Sequence, residues 1–250
     1  MNDALRNIRI VLCETRHAGN IGAAARAMKT MGLSALYLVK PENFPSAEAS
    51  RRASRASDVL DKARVCESLG QALSGVTLTV ACSARTREMS APEFNARSAA
   101  ARLATVAASQ PVALVFGNET YGLTTAQTSL CQMVATIPTD PAYASLNLAA
   151  AVQVFAYELR LAVLGGRTDS DGKPGKLANH EAVEGFYTHL ESELVETGYL
   201  NPDQPKKLMQ RLRRLFARAG LEQEEVNILR GVVRTLRQPK SPGKNRKYLF

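Results

Sequence analysis

The chain is 250 residues long, 45% hydrophobic and 22% charged, with a net charge of +9, which suits a globular protein with one sizeable domain and a smaller one. Its longest apolar runs, residues 76–82 and 113–116, fall far short of the roughly 20 residues a membrane span needs, and Asp3, Arg6 and Arg9 interrupt any secretory segment after Met1. The expectation is therefore a cytoplasmic protein with no membrane partner. Its four scattered cysteines, Cys13, Cys66, Cys82 and Cys131, include no C-x-x-C pair, pointing to buried free thiols rather than disulfides or a metal site.

In chain order, residues 7–13 (NIRIVLC) predict a short buried strand and residues 23–31 a helix, stopped by Gly32 as its C-cap. The connection between them, H-A-G-N-I-G, carries two glycines, Gly19 and Gly22, that permit a tight turn and close approach of another backbone. Asn20 can cap a helix or hold a loop, and His17 fits a structural role better than catalysis. Arg26 is the odd residue of the small-residue run Ala23-Ala24-Ala25-Arg26-Ala27. It is either a solvated helix position or a guanidinium with a task. There is no dinucleotide fingerprint and no Walker A motif.

Residues 36–39 predict a second strand, 56–73 a helix closed at Gly75, 78–82 a strand, 97–108 a helix and 112–116 another strand. That strand runs into F-G-N-E-T-Y-G-L-T, where Gly117 ends it and allows a ligand to approach the backbone, as at strand ends in open α/β sheets. Glu119 could anchor a loop or contact substrate, and Thr124 could cap the next helix. A last short strand at 134–137 leads through a Pro-rich loop into Ser145-Leu146-Asn147 and a small-residue helix over 146–164. Ser145 is a good N-cap, and a helix start is a natural place to hold a ligand. Apolar strands alternating with helices predict an α/β fold with a largely parallel sheet covered on both faces.

Residues 165–179 (GGRTDSDGKPGKLAN) read as a flexible linker. They separate a domain of residues 1–166 from a basic helical unit of residues 180–250, with helices expected at 181–197, 206–219 and 222–236 and a disordered basic tail at 238–247. Between residues 204 and 247 there are 13 Lys or Arg against three Glu, a local net of +10, whereas the rest of the chain nets −1. One end is built to meet a polyanion. Arg211, Arg213, Arg214 and Arg218 are the candidate RNA contacts, unless they merely solvate a packing helix.

Together, N-x-G-x-x-x-R from Asn20, L-V-F-G-N-E-x-x-G-L from Leu114 and I-P-x-loop-S-L-N-L-A-x-A-V from Ile137 resemble, in order and spacing, the three motifs of the SpoU group of SPOUT-superfamily RNA methyltransferases. The resemblance covers about residues 5 to 164. It implies a SPOUT-type parallel sheet with a C-terminal trefoil knot, a homodimer, and S-adenosylmethionine held by Cys82, Ser83, Ala84, Gly117, Ile137, Ala144, Ser145 and Leu146. It implies methylation of a ribose 2'-hydroxyl without a metal, with Arg26, Asn20, Glu119, Ser145 and Asn147 as the catalytic set. Arginine is always protonated, so Arg26 is expected to hold the adjacent phosphate and stabilise the ionising hydroxyl rather than act as a base.

The similarity is greatest to the tRNA-modifying branch of that group, which implies cytidine or uridine at nucleotide 32 of the anticodon loop as the target. One departure is Asn118, where that branch usually carries Arg. Two other readings stand beside it: the same chemistry on another RNA such as rRNA, and a non-catalytic RNA-binding module. Retention of the whole catalytic set argues against the module.

Overall fold

A computed structural model of the chain describes residues 3–83, 93–165 and 176–235. Strands β1 (Ile8–Cys13), β2 (Ala35–Val39), β3 (Arg64–Cys66), β4 (Leu78–Cys82), β5 (Glu93–Asn95), β6 (Val112–Phe116) and β7 (Met133–Thr136) form one sheet. Their order is β3-β2-β1-β6-β4-β7-β5, and every pairing is parallel. All five residues of β6 are buried, as a central strand covered on both faces requires.

One face of the sheet packs Ile8, Ile10 and Leu12 under the long helices α1 (Ala18–Met31), α5 (Ala96–Ala107) and α7 (Leu148–Leu164). The opposite face packs Val11, Cys13 and Val115 with Leu69 and Leu73 of the short α4 (Leu69–Leu73). Period-two alternation in β1 thus feeds two cores at once. Gly22 explains the small-residue face of α1, because a Cβ there would lie 2.1 Å from the Ala49 carbonyl oxygen in α2 (Ala47–Ala53). Gly32 ends α1 in the left-handed conformation, φ 85°, as its C-cap.

Two sequence expectations are corrected. The single helix expected over 56–73 is α3 (Ser57–Asp61), then β3, then α4, because residues 64–66 pair with Tyr37–Val39 at the sheet edge and Ser68 caps a new helix by accepting from the Gln71 N–H. The first helix begins at Ala18, not 23, so Gly19 and Asn20 lie inside its first turn rather than in a loop. The short α6 (Thr125–Ser129) is the helix that Thr124 caps, in a reciprocal capping box with Gln127.

Beyond residue 175, α8 (His180–Glu196), α9 (Leu208–Ala219) and α10 (Gln223–Thr235) share their own core around Phe186, Leu190 and Val226, with Phe216 edge-on to Phe186 at 5.1 Å. This unit docks on the amino-terminal edge of the sheet. Glu181 accepts from the Gly75 N–H at 2.8 and 3.0 Å, His180 N–H donates to the Val76 carbonyl, and Gln110 donates to the Leu177 carbonyl. Residues 176–179, expected as linker, are part of that packing, with Ala178 N–H bonded to the Leu221 carbonyl. The rest of the expected linker, residues 166–175, and the basic tail at 238–247 lie outside the described residues. Among the described residues no helix is long and apolar enough to cross a membrane.

Candidate active site

Parallel strands present their carboxyl ends at one edge of the sheet, where the chain must turn and where backbone groups lack ladder partners. At that edge β4, β6 and β7 open a cavity of about 350 Å³. Cys82 and Ser83 line it from the end of β4, Phe116 and Gly117 from β6, Ile137 from just beyond β7, and Ala144, Ser145 and Leu146 from the loop before α7. Seven of the eight residues expected to hold a cofactor therefore meet in one cavity; the eighth, Ala84, lies outside the described residues. Phe155 of α7 stands edge-on to Phe116 at 5.7 Å and closes the floor.

The wall formed by residues 117–123 is a tight fold-back. A Cβ at Gly117 would lie 2.1 Å from the Gly122 carbonyl carbon and 2.2 Å from the Leu123 nitrogen. Glycine is thus required for the turn itself, before any ligand is considered. Gly122, at φ 73°, donates its N–H to the Asn118 carbonyl. Asn118 is buried, donates to the Glu14 carbonyl at 2.6 Å and accepts from the Thr120 N–H at 2.8 Å. Its contacts are intramolecular braces, which gives the departure from Arg a structural use.

Glu14 is a residue the sequence did not reveal, since nothing in its spacing marks it. It follows β1 at φ 52°, and its carboxylate accepts from the Tyr121 hydroxyl and from Gln127 Nε2. One acid thereby ties the end of β1 to the cavity wall and to α6.

The three motif segments meet in a hydrogen-bonded relay. Glu119 accepts from the backbone N–H of Arg16 at 3.0 Å and of His17 at 3.2 Å, and from Asn20 Nδ2 at 2.8 Å. Asn20 Oδ1 in turn accepts from Asn147 Nδ2 at 2.9 Å, and Asn147 Oδ1 caps α7 by accepting from the N–H groups of Ala149 and Ala150. Burial raises the Glu119 pKa, but the Arg16, Asn20 and His17 donors outweigh it and hold the carboxyl below its usual range. The carboxylate also sits at the amino end of α1, where helix N–H groups favour a negative charge. Asn147, not Ser145, is the N-cap of α7, and the helix starts at Leu148. Ser145 and Leu146 stay in the loop before the helix and contribute to the cavity wall instead. His17 takes part through its backbone alone in this network, with no side-chain cap.

Arg26 is not in the cavity lining. It is exposed on α1, six residues and so about 9 Å along the axis from Asn20. Burial, with Cys131 adding to it, pushes the Cys82 thiol well up, leaving a protonated group in the cavity wall rather than a nucleophile. Among the described residues no cluster of His, Cys, Asp and Glu could hold a metal.

Of the four arginines expected to meet RNA, Arg211, Arg214 and Arg218 are exposed on α9. Arg213 is withdrawn: it bonds Glu184 through both nitrogens at 2.6 and 2.8 Å and lies 4.3 Å over the Tyr187 ring. It joins α9 to α8.

Residues 7–157 match the model of the SpoU rRNA methylase family, and residues 181–245 match that of the C-terminal domain of the tRNA methyltransferase TrmJ. The chain is 46% identical, over 92% of its length and 93% of the relative's, to the tRNA (cytidine/uridine/adenosine-2'-O-)-methyltransferase TrmJ of Pseudomonas aeruginosa. It is 47% identical to the tRNA (cytidine/uridine-2'-O-)-methyltransferase TrmJ of Pectobacterium atrosepticum, over 94% of this chain and 98% of that one. The crystal structure of TrmJ from Z. mobilis ZM4 superposes with a TM-score of 0.80 at 32% identity, covering 92% of this chain and 99% of that one. An AdoMet-bound rRNA methyltransferase from Sinorhizobium meliloti superposes at 0.50 with 26% identity, over 63% and 57%. The fold is the SPOUT-type parallel sheet with its C-terminal trefoil knot, joined to a helical C-terminal domain.

Proposed function

We propose, from the premise that the chain belongs to the SpoU methylase family, that it is an S-adenosylmethionine-dependent tRNA 2'-O-methyltransferase acting on cytidine or uridine at nucleotide 32 of the anticodon loop. The observation that carries this reading is the relay Glu119–Asn20–Asn147, which ties all three motif segments to one cavity. The names of the relatives support the substrate class and the nucleosides, and the AdoMet-bound neighbour supports the cofactor.

The residues present fit that cofactor. The cavity lies within the roughly 300–1,000 Å³ of small-molecule sites, its walls are backbone-rich at Ser83, Gly117 and the 144–146 loop, and Phe116, Leu148 and Phe155 supply apolar surface. When bound, S-adenosylmethionine supplies an electrophilic methyl group on a sulfonium. The ribose hydroxyl is a poor nucleophile, so the protein must stabilise negative charge on its oxygen. Arg26 serves as that charge, holding the neighbouring phosphate, while Glu119, Asn20 and Asn147 fix the cavity wall against α1 and α7. Ser145, exposed in the cavity wall, orients the substrate.

The position of Arg26 outside its own cavity supports a homodimer in which one subunit's Arg26 serves its partner's site. The surface for it is the outer face of α7, where Tyr157, Leu161 and Leu164 are 48%, 42% and 57% exposed at helical spacing. Ala149 and Val152, in the stretch nearest the motif, point into the core instead. Light scattering is expected to give twice the chain mass; a concentration-independent monomer would contradict this arrangement. Domain boundaries near residues 166 and 176 and a cytoplasmic location complete the reading, the latter supported by four free cysteines. Methyl transfer from labelled S-adenosylmethionine tests the function: tRNA is expected to be labelled and rRNA not, and the reverse would reassign the substrate.

A further inference from the structure

The opposite edge of the sheet holds a second cavity, of about 370 Å³, at the amino ends of β3, β2, β1 and β6. Four cations line it, Arg6, Arg9, Lys62 and Arg64, and among the described residues no carboxylate does. Its floor includes the buried ring of Tyr37, over which the Arg9 and Arg64 guanidiniums stand at 4.8 and 5.5 Å. Arg9 is held rigidly, its Nη1 donating to the carbonyls of Ala72 at 2.9 Å and Ser74 at 2.7 Å.

Several other cations of this protein face acids: Lys29 pairs with Asp58, Arg97 with Glu158 and Arg213 with Glu184. Two guanidiniums on one ring, with Lys62 in the same lining and no carboxylate among the described lining residues, give the cavity a positive field that favours an anion. Fork-shaped donors beside a compact ammonium suit phosphate oxygens.

We propose that this cavity binds phosphate groups, a site separate from the methyl-transfer cavity and used by neither its walls nor its relay. Its neighbours favour the RNA backbone as the source. Ser74, which fixes Arg9, adjoins Gly75, which binds Glu181 of the C-terminal unit, and Pro111 in the lining adjoins Gln110, which binds Leu177. The cavity thus opens next to the point where the C-terminal unit, which carries Arg211, Arg214 and Arg218 on α9, docks through α8 and the residues before it. The site itself stands on its own geometry; its assignment to tRNA rests on the function proposed above.

The test is the double variant Lys62→Ala/Arg64→Ala in the full chain, at two exposed positions outside the methyl-transfer cavity. Calorimetry with tripolyphosphate and tRNA binding across a salt series are the two arms. If the phosphates are those of RNA, tRNA affinity falls about tenfold and the salt slope becomes shallower by roughly 0.7–0.9 for each phosphate no longer neutralised, with turnover at saturating tRNA unchanged. If tripolyphosphate binding is lost while tRNA binding is untouched, the source is a small polyphosphate compound. Unchanged binding in both arms overturns the proposal. A wild-type protein that transfers no methyl to tRNA would sink the proposed function but leave the tripolyphosphate arm to be decided separately.

Discussion

Arg26 and Glu119 carry opposite charges and do different work. Arg26 is exposed and meets no acceptor among the described residues, whereas Glu119 is committed to three donors at the start of α1. Arg26→Ala is therefore expected to abolish turnover while leaving S-adenosylmethionine affinity within about twofold, measured by a methyl-transfer assay and calorimetry. Near wild-type turnover would return Arg26 to an ordinary helix position. Glu119 links the site to pH. Its folded pKa lies below the ordinary value of 4.5, so its stabilisation is complete above that value and is lost as pH falls through the folded pKa. Glu119→Gln should melt below wild type at pH 7, with the difference closing towards pH 3. A difference that stays constant across that range would show that ionisation is irrelevant to the anchor.

Strands β4 and β6 and helices α5 and α7 were legible because buried apolar runs and small-residue periods are local properties of the chain. The end of α1 was legible for the same reason, through Gly32. The start of α1 was not, because its first turn is anchored from about a hundred residues away, by Glu119 accepting from the N–H groups of Arg16 and His17 and from Asn20. Edge strand β3 was hidden too: three residues of which Val65 is 52% exposed leave no apolar run to read. Ser145 is as good a cap by type as Asn147, and the choice between them is made by Asn20, which reaches only Asn147. The cavity residues were legible as a motif, but Glu14 and Tyr121 were not, because their partnership exists only in three dimensions. Removing the cap should reveal this coupling. Asn147→Ala is expected to cost about 1 kcal/mol, and a double-mutant cycle with Asn20→Ala should give a coupling of roughly 0.5 kcal/mol or more. Strict additivity in denaturant unfolding would break the relay into unrelated contacts.

The sheet domain, residues 1–166, holds the cavity and nets +4; the helical unit, residues 180–250, also nets +4 but gathers a local +10 between residues 204 and 247. The helical unit has its own core around Phe186 and docks through hydrogen bonds, with Leu177 packed on the sheet-domain core. Truncation after residue 166 should leave a folded domain that still binds S-adenosylmethionine. It should bind tRNA at least tenfold more weakly and with a shallower salt slope, through loss of Arg211, Arg214, Arg218 and their neighbours. Full tRNA affinity in the fragment would move recognition onto the sheet domain. The cavity, the relay and the basic helical unit together are expected to direct one methyl group to one ribose. The most direct measurement is site mapping of 2'-O-methylation on tRNA treated with the purified protein and S-adenosylmethionine. A single new methyl group is expected on the 2'-oxygen of cytidine or uridine at nucleotide 32; a methyl group on a base, at another nucleotide, or none at all would overturn the proposed function.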